Sequence, residues 1–164
     1  MKKITYLLFA LTLLLTSCEG DQGPQGPQGF DGESAIAFEM SGSFNSGNNF
    51  EIQEFYDFQV FENEVVLVYR LWDVTDNGLD VWRLLPQTIF FDDGSDLVYN
   101  YDFTQKDVIV SLDSSSNLNN LGAEWTQNQI FRVIIVPASE LDNIDTSDFN
   151  SVINTTNIDT FITE

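Results

Sequence analysis

Between residues 36 and 136, apolar side chains recur at every second position in runs separated by turn-forming clusters. That spacing suits extended strands with a buried face and not the three-to-four spacing of a helical stripe. Ile36, Phe38, Met40 and Phe44 open the pattern. Phe50 and Ile52 continue it into a nearly aromatic run, Phe55-Tyr56-Asp57-Phe58 to Phe61. The segment from Val65 to Trp72 is apolar on both faces apart from Arg70 and reads as a central strand. Asp76-Asn77-Gly78 offers two residues tolerant of positive φ, so this strand is expected to pair antiparallel with Leu79 to Leu85 through a tight hairpin. Pro86 marks an edge or a bulge. Ile89-Phe90-Phe91 then turns at Asp92-Asp93-Gly94-Ser95 into Leu97, Tyr99, Tyr101 and Phe103, a second hairpin.

Val108, Val110 and Leu112 form another short strand, and residues 113–128 read as a polar loop carrying Trp125. Ile130 to Val136 reads as a last buried strand, interrupted by Arg132 and ended by Pro137. In the polar tail, Phe149, Val152 and Ile153 are spaced for a short helix opened by Asp145 or Thr146. The expected fold is mostly β: an antiparallel β-sandwich or jelly-roll-like domain of about seven or eight strands over residues 35–164, with a short C-terminal helix.

Upstream the chain reads differently. Met1-Lys2-Lys3 is a positive leader start, and Ile4 to Leu15 is an apolar stretch of secretory length, too short to span a bilayer as a helix. It ends in Leu15-Thr16-Ser17-Cys18, which resembles a lipobox, so residues 1–17 are expected to be a signal peptide and Cys18 the lipidated N-terminus. The resemblance implies a diacylglycerol and an N-acyl chain of the palmitate type. At about 0.8 kcal/mol per buried CH₂, two or more such chains make a lasting anchor. The acidic Glu19-Gly20-Asp21 behind the cysteine resembles a surface-export signal. The expected address is therefore the outer membrane with surface display, the periplasm-facing leaflet being the alternative.

Gly20, Gly23, Gly26, Gly29 and Gly32 stand at every third position through residue 34, with Pro24 and Pro27 directly after two of them. A collagen triple helix requires that period because only hydrogen fits at its axis. Residues 18–34 are accordingly expected to be a collagen-like stalk, reaching on the order of 45 Å if extended. Five triplets bury little, so a homotrimer needs the domain's help, and a single-chain extended linker fits the same residues.

Charge and missing residues exclude several chemistries. Without the leader, four bases (Arg70, Arg83, Lys106, Arg132) remain against 26 acids, a net of −22. That field repels phosphate backbones, so nucleic acid is not an expected partner. With one cysteine and no histidine, neither an internal disulfide nor the usual zinc, haem or Ser-His-Asp sites can be assembled. No cofactor or metal is expected, and no phosphate-binding glycine loop follows a strand. Asp73, Thr75, Asn77 and Gly78 imitate the opening of a calcium loop, but Leu84 stands where the bidentate acid belongs, so a hairpin is the better account. Asp92, Asp93 and Asp96, or Asp142, Asp145 and Asp148, offer oxygen ligands or ordinary turn chemistry.

Lipobox, Gly-X-Y triplets and β domain together resemble short collagen-like surface lipoproteins of Bacteroidota-type bacteria. Val68-Tyr69-Arg70-Leu71-Trp72-Asp73 and Val81-Trp82-Arg83-Leu84-Leu85-Pro86-Gln87 look like recurring segments of that group. The resemblance implies this architecture, with a C-terminal β domain of unknown function, and no mechanism.

Arg70, Arg83 and Arg132 lie inside apolar strands, where a guanidinium requires a carboxylate or an aromatic face; Asp73, Asp80 or a tryptophan ring are the natural partners. Trp72, Trp82 and Trp125 can stack on sugars. The candidate ligand-binding residues are thus Trp72, Trp82, Arg70, Arg83 and Trp125, with no catalytic residue expected. The function expected is a non-enzymatic, membrane-anchored module for binding or envelope structure, with a glycan or protein ligand. A glycan-binding module is the first alternative and a carboxylate-based glycoside hydrolase the second.

Overall fold

The computed structural model describes residues 35–142, 144–156 and 158–162, the last four by their backbone. The expected leader of residues 1–17, the expected lipidation site Cys18 and the glycines of the expected stalk lie outside the described residues.

Each alternating run forms a strand: β1 (Ala35–Gly42), β2 (Glu51–Phe55), β3 (Glu64–Val74), β4 (Asp80–Leu84), β5 (Gln87–Phe90), β6 (Asp96–Phe103), β7 (Asp107–Ser114) and β8 (Gln129–Pro137). These eight pair antiparallel in two sheets, ordered β4-β3-β8-β1 and β2-β7-β6-β5, and β9 (Ile158–Ile162) adds to β1 in parallel at the edge of the first. The antiparallel two-sheet fold with a short C-terminal helix is the one that alternation and turn chemistry predict.

The sheets stack over a core in which Phe38, Val68, Phe131 and Val133 of the first meet Tyr99 and Val110 of the second. Edge-to-face rings tie the layers, with Phe44 centred 6.0 Å from Tyr99 and 6.1 Å from Phe131. The opposite face of the first sheet is also covered. Leu67, Tyr69, Ile134 and Val136 lie beneath the C-terminal helix, α2 (Phe149–Thr155), which buries Val152 against them. The Tyr69 hydroxyl donates to the Thr146 carbonyl at 2.6 Å, fastening the tail to this face. Coverage on both sides is why β3 and β8 read as continuous apolar runs. Each fully buried aliphatic side chain contributes about 1.5–3 kcal/mol.

Three local expectations are corrected. Helix α2 opens at Asp148, whose carboxylate accepts from the Asn150 N–H; Asp145 instead accepts from the N–H and hydroxyl of Ser147 in a turn of its own. Ile130 to Val136 is not the last strand, because the tail returns as β9. Residues 113–128 are not loop throughout: β7 runs to Ser114, and Ala123–Thr126 forms a one-turn helix, α1. Pro86 does mark an edge: it stands where the chain crosses from β4 to β5, each the edge strand of its own sheet, and its missing N–H removes no ladder bond.

Both hairpins close by one device, which also differs from the expected pair of positive-φ residues. Gly78 N–H donates to the Thr75 carbonyl and Thr75 N–H to the Leu79 carbonyl, both at 2.8 Å, and in this turn Gly78 alone takes positive φ, at 76°. Gly94, at 85°, does the same between Phe91 and Ser95. This is a three-residue loop with one left-handed glycine, so Asn77 needs no positive φ. A Cβ at either glycine would meet open space, so substitution there probes backbone conformation alone. Gly78→Ala and Gly94→Ala are each expected to cost about 1–2 kcal/mol and Gly78→Asn less, since asparagine tolerates the left-handed region. Urea unfolding midpoints measure this, and an alanine variant as stable as the parent would refute the turn assignment.

Candidate functional site

One end of the sandwich, where β1 finishes and β8 begins, carries most of the unusual chemistry. Arg70 points from β3 into the space between the sheets and is 4% exposed. Its guanidinium lies 4.2 Å from the Tyr99 ring centroid, 5.4 Å from that of Trp72 and 5.8 Å from that of Trp125. Nε and Nη2 both donate to Gln129 Oε1, at 2.9 and 2.6 Å. Gln129 is held in turn by donating its own amide to the carbonyls of Glu124 and Gln127, at 3.1 and 2.8 Å. Asn128, at φ 50°, makes the sharp turn that delivers Gln129 to the head of β8.

Among the described residues Arg70 has no ion-pair partner, and its Nη1 makes no hydrogen bond. Burial lowers its pKa; the neighbouring Tyr99 works against that shift and Arg83 adds to it. A buried guanidinium without a counter-ion is costly, offset here by ring faces and a neutral amide.

Arg83 is the direct ladder partner of Arg70 and is exposed. Its guanidinium sits 3.9 Å from the Trp72 centroid. Trp72 and Trp125 are 6.3 Å apart, and Phe91 meets Trp125 edge-to-face at 5.7 Å. Beyond Trp125 opens a cleft of about 390 Å³, lined also by Phe91, Asp92, Asp93, Asn120 and Leu121. The Asp93 carboxylate accepts from the N–H and hydroxyl of Ser95, which lowers its pKa, whereas the side chains of Asp92 and Asn120 make no hydrogen bond among the described residues.

The structure therefore brings Arg70, Arg83, Trp72 and Trp125 together and sets Trp82 apart. Trp82 lies on the outer face of the first sheet, where Arg132 stacks 4.1 Å from its centroid and pairs with Glu39 at 2.5 Å. The expected partners Asp73 and Asp80 are not used: Asp73 accepts from the adjacent Val74 N–H, and Asp80 is exposed. The guanidiniums take ring faces instead, because cross-strand neighbours supply aromatics where the two aspartates lie near the exposed turn. Thr75 and Gly78 are used in the hairpin turn, and among the described residues no three acids converge as a cation would require.

Sequence reasoning missed Tyr99, Gln129 and Phe91. Their signals were present but ambiguous: Tyr99 and Phe91 read as ordinary core aromatics, and Gln129 as the last polar residue before an apolar strand. A second hollow, about 410 Å³, runs beside Phe38, Glu39, Glu54, Tyr56, Asp57 and Phe58. Glu39 is committed to Arg132, and Glu54 and Asp57 are solvent-exposed, unlike the dry surroundings that tune a general acid.

Comparisons of the chain with protein-family models, with curated proteins and with solved structures each found no match.

The Tyr99 hydroxyl donates to the Trp125 carbonyl at 2.5 Å and so ties the second sheet to the shelf formed by Arg70, Arg83, Trp72 and Trp125. Burial pushes its pKa from 10.0 to about 12, with Arg70 pulling it down and Glu124 pushing it up. A phenol raised in the fold stabilises it fully below the unfolded pKa, and this contribution is lost as pH rises through the folded one. Burial raises Tyr69 and Tyr56 in the same direction. Urea stability is therefore expected to hold up to about pH 9 and to fall between about pH 10 and 12. Tyr99→Phe should reduce that fall while costing about 1 kcal/mol at neutral pH through the lost hydrogen bond. Equal stability at about pH 8 and pH 11 would contradict the burial of these phenols.

Proposed function

We propose that the chain is an exported outer-membrane lipoprotein, anchored through acyl chains on Cys18 and held outward on residues 18–34, whose β domain binds a ligand and catalyses nothing. The observation that carries this reading is the position of the lone cysteine, directly behind an apolar leader and directly ahead of five glycine triplets. A thiol at that place is explained by lipidation and would otherwise be a liability in an oxidising compartment. The arrangement of anchor, spacer and module serves contact with something outside the membrane, whether a soluble ligand or the envelope itself. A trimer built on the stalk extends the proposal. It presents three copies of one shelf on one base, and multivalency then strengthens weak single contacts.

A second, narrower reading makes the module glycan-binding. The cleft at Trp125 and Phe91 favours it, because ring faces pack against sugar C–H surfaces while the uncommitted side chains of Asp92 and Asn120 stand ready for hydroxyls.

Full-length protein expressed in a diderm host should partition into the membrane fraction and incorporate labelled palmitate, and Cys18→Ala should abolish the label and release the protein or leave its leader uncleaved. An unmodified Cys18 on native protein, by mass spectrometry, would end the lipoprotein reading. On a glycan array, Trp125→Ala should lower binding about tenfold or more if the cleft is the site. Native mass spectrometry at micromolar concentration decides between trimer and monomer.

A further inference from the structure

Four bases stand behind the leader among 26 acids, and two of them face each other across one hairpin. Among the described residues neither Arg70 nor Arg83 has a carboxylate partner, although the chain carries 26 acids against six bases. Arg132 shows what this protein does when it neutralises a strand arginine: it sets Glu39 directly across the ladder. At the same kind of position, opposite Arg70, it places a second arginine. Like charges directly opposite in a ladder are destabilising, and burial of one of them adds to the cost. Arg70 is nine-tenths buried with Nη1 unsatisfied, and Arg83 is exposed beside it.

We propose that the exposed Arg83, backed by its buried ladder partner Arg70, forms with the Trp72 and Trp125 rings a site for a carboxylate-bearing sugar, a hexuronate unit of a glycan. The inference rests on the glycan-binding reading and deepens it. A carboxylate held on the exposed Arg83 guanidinium supplies the missing counter-charge to its buried ladder partner without touching it, and the guanidinium fork matches its planar oxygens. Trp125 belongs both to Arg70's surroundings and to the cleft, and Trp72, on which Arg83 stacks at 3.9 Å, lies 6.3 Å from it. On the cleft side, Asp92 and Asn120 accept from or donate to hydroxyls, which a uronate carries and an acidic peptide side chain lacks. The chain's net negative field acts mainly on approach, because at physiological ionic strength it is screened over about 8 Å, whereas Arg83 acts at contact.

The test uses full-length acylated protein in detergent micelles, titrated calorimetrically with a galacturonate tetramer, with the galactose tetramer of the same linkage, and with tetraglutamate. Arg83→Gln is the informative variant, since Arg83 is exposed and stacks on one face of Trp72; near-ultraviolet circular dichroism checks that the rings stay packed. Binding of the uronate, weakened about tenfold or more by Arg83→Gln and well above that of the neutral sugar, is the expected result. If both sugars bind alike and Arg83→Gln changes neither, the acid-reading site is overturned while the glycan reading stands. If neither sugar binds, both fall. Binding of tetraglutamate without the uronate overturns the proposal in favour of an acidic peptide.

Discussion

Everything in this fold is arranged around one strand that has no free side. β8 lies between β3 and β1, and from Phe131 to Val136 every residue but Arg132 is buried. Phe131, Val133 and Ile135 face the second sheet, and Ile134 and Val136 face the other way. A strand that is apolar on both faces cannot be satisfied by one partner layer, so the chain needs a second cover. The tail supplies it. Helix α2 lays Val152 over Ile134 and Val136, and β9 then closes the edge beside β1. Arg132 is the exception that the same geometry accommodates, its charge met across the ladder by Glu39 and its flat face by Trp82.

The shelf follows from the beginning of that same strand. Gln129, at the head of β8, holds two nitrogens of Arg70 and is itself oriented by the carbonyls of Glu124 within α1 and of Gln127 just after it. Tyr99 reaches from the second sheet, puts its ring beneath the guanidinium and hydrogen-bonds the Trp125 carbonyl. Arg70 is thereby locked from three directions by elements that belong to the core, and the rings around it inherit that order. A site built this way loses little conformational entropy on binding, because the side chains that form it are already held in place.

Periodicity made the sheets legible in the sequence, and turn chemistry made both hairpins legible. Alternation from Leu97 to Phe103 and the double-sided run from Val65 to Trp72 leave a chain few other ways to bury its apolar residues. What stayed hidden depends on which face a residue takes and which sheet it joins. Trp72 and Trp82 are near in sequence and sit on paired strands, yet one faces the core and the other the outer layer. β9 was unreadable because parallel pairing at a polar chain end carries no turn signal and little alternation. Of the candidate site, Arg70, Arg83, Trp72 and Trp125 could be named in advance, since charge inside an apolar strand is conspicuous. Gln129 and Tyr99 could not, because their roles arise only when the second sheet and the α1 turn close over β3.

The acids and the bases of this chain are sorted by different physics. Carboxylates go to turns: Asp93 to Ser95, Asp107 to Thr104, Asp145 to Ser147 and Asp148 to the start of α2, each accepting from a hydroxyl or N–H close by in sequence. Such short-range bonds lower several of these pKa values and leave the charges dispersed at the surface. Among the described residues, three of the four bases go instead to ring faces. One hairpin thus sets two arginines opposite each other in the ladder with no carboxylate partner among the described residues. Aromatic faces soften that repulsion but cannot cancel it, since a ring supplies a quadrupole and no net charge. An anion held on the exposed Arg83 would offset a cost the fold already carries. Binding there is consequently coupled to stability: a ligand that neutralises the pair should stabilise the sheet that bears it.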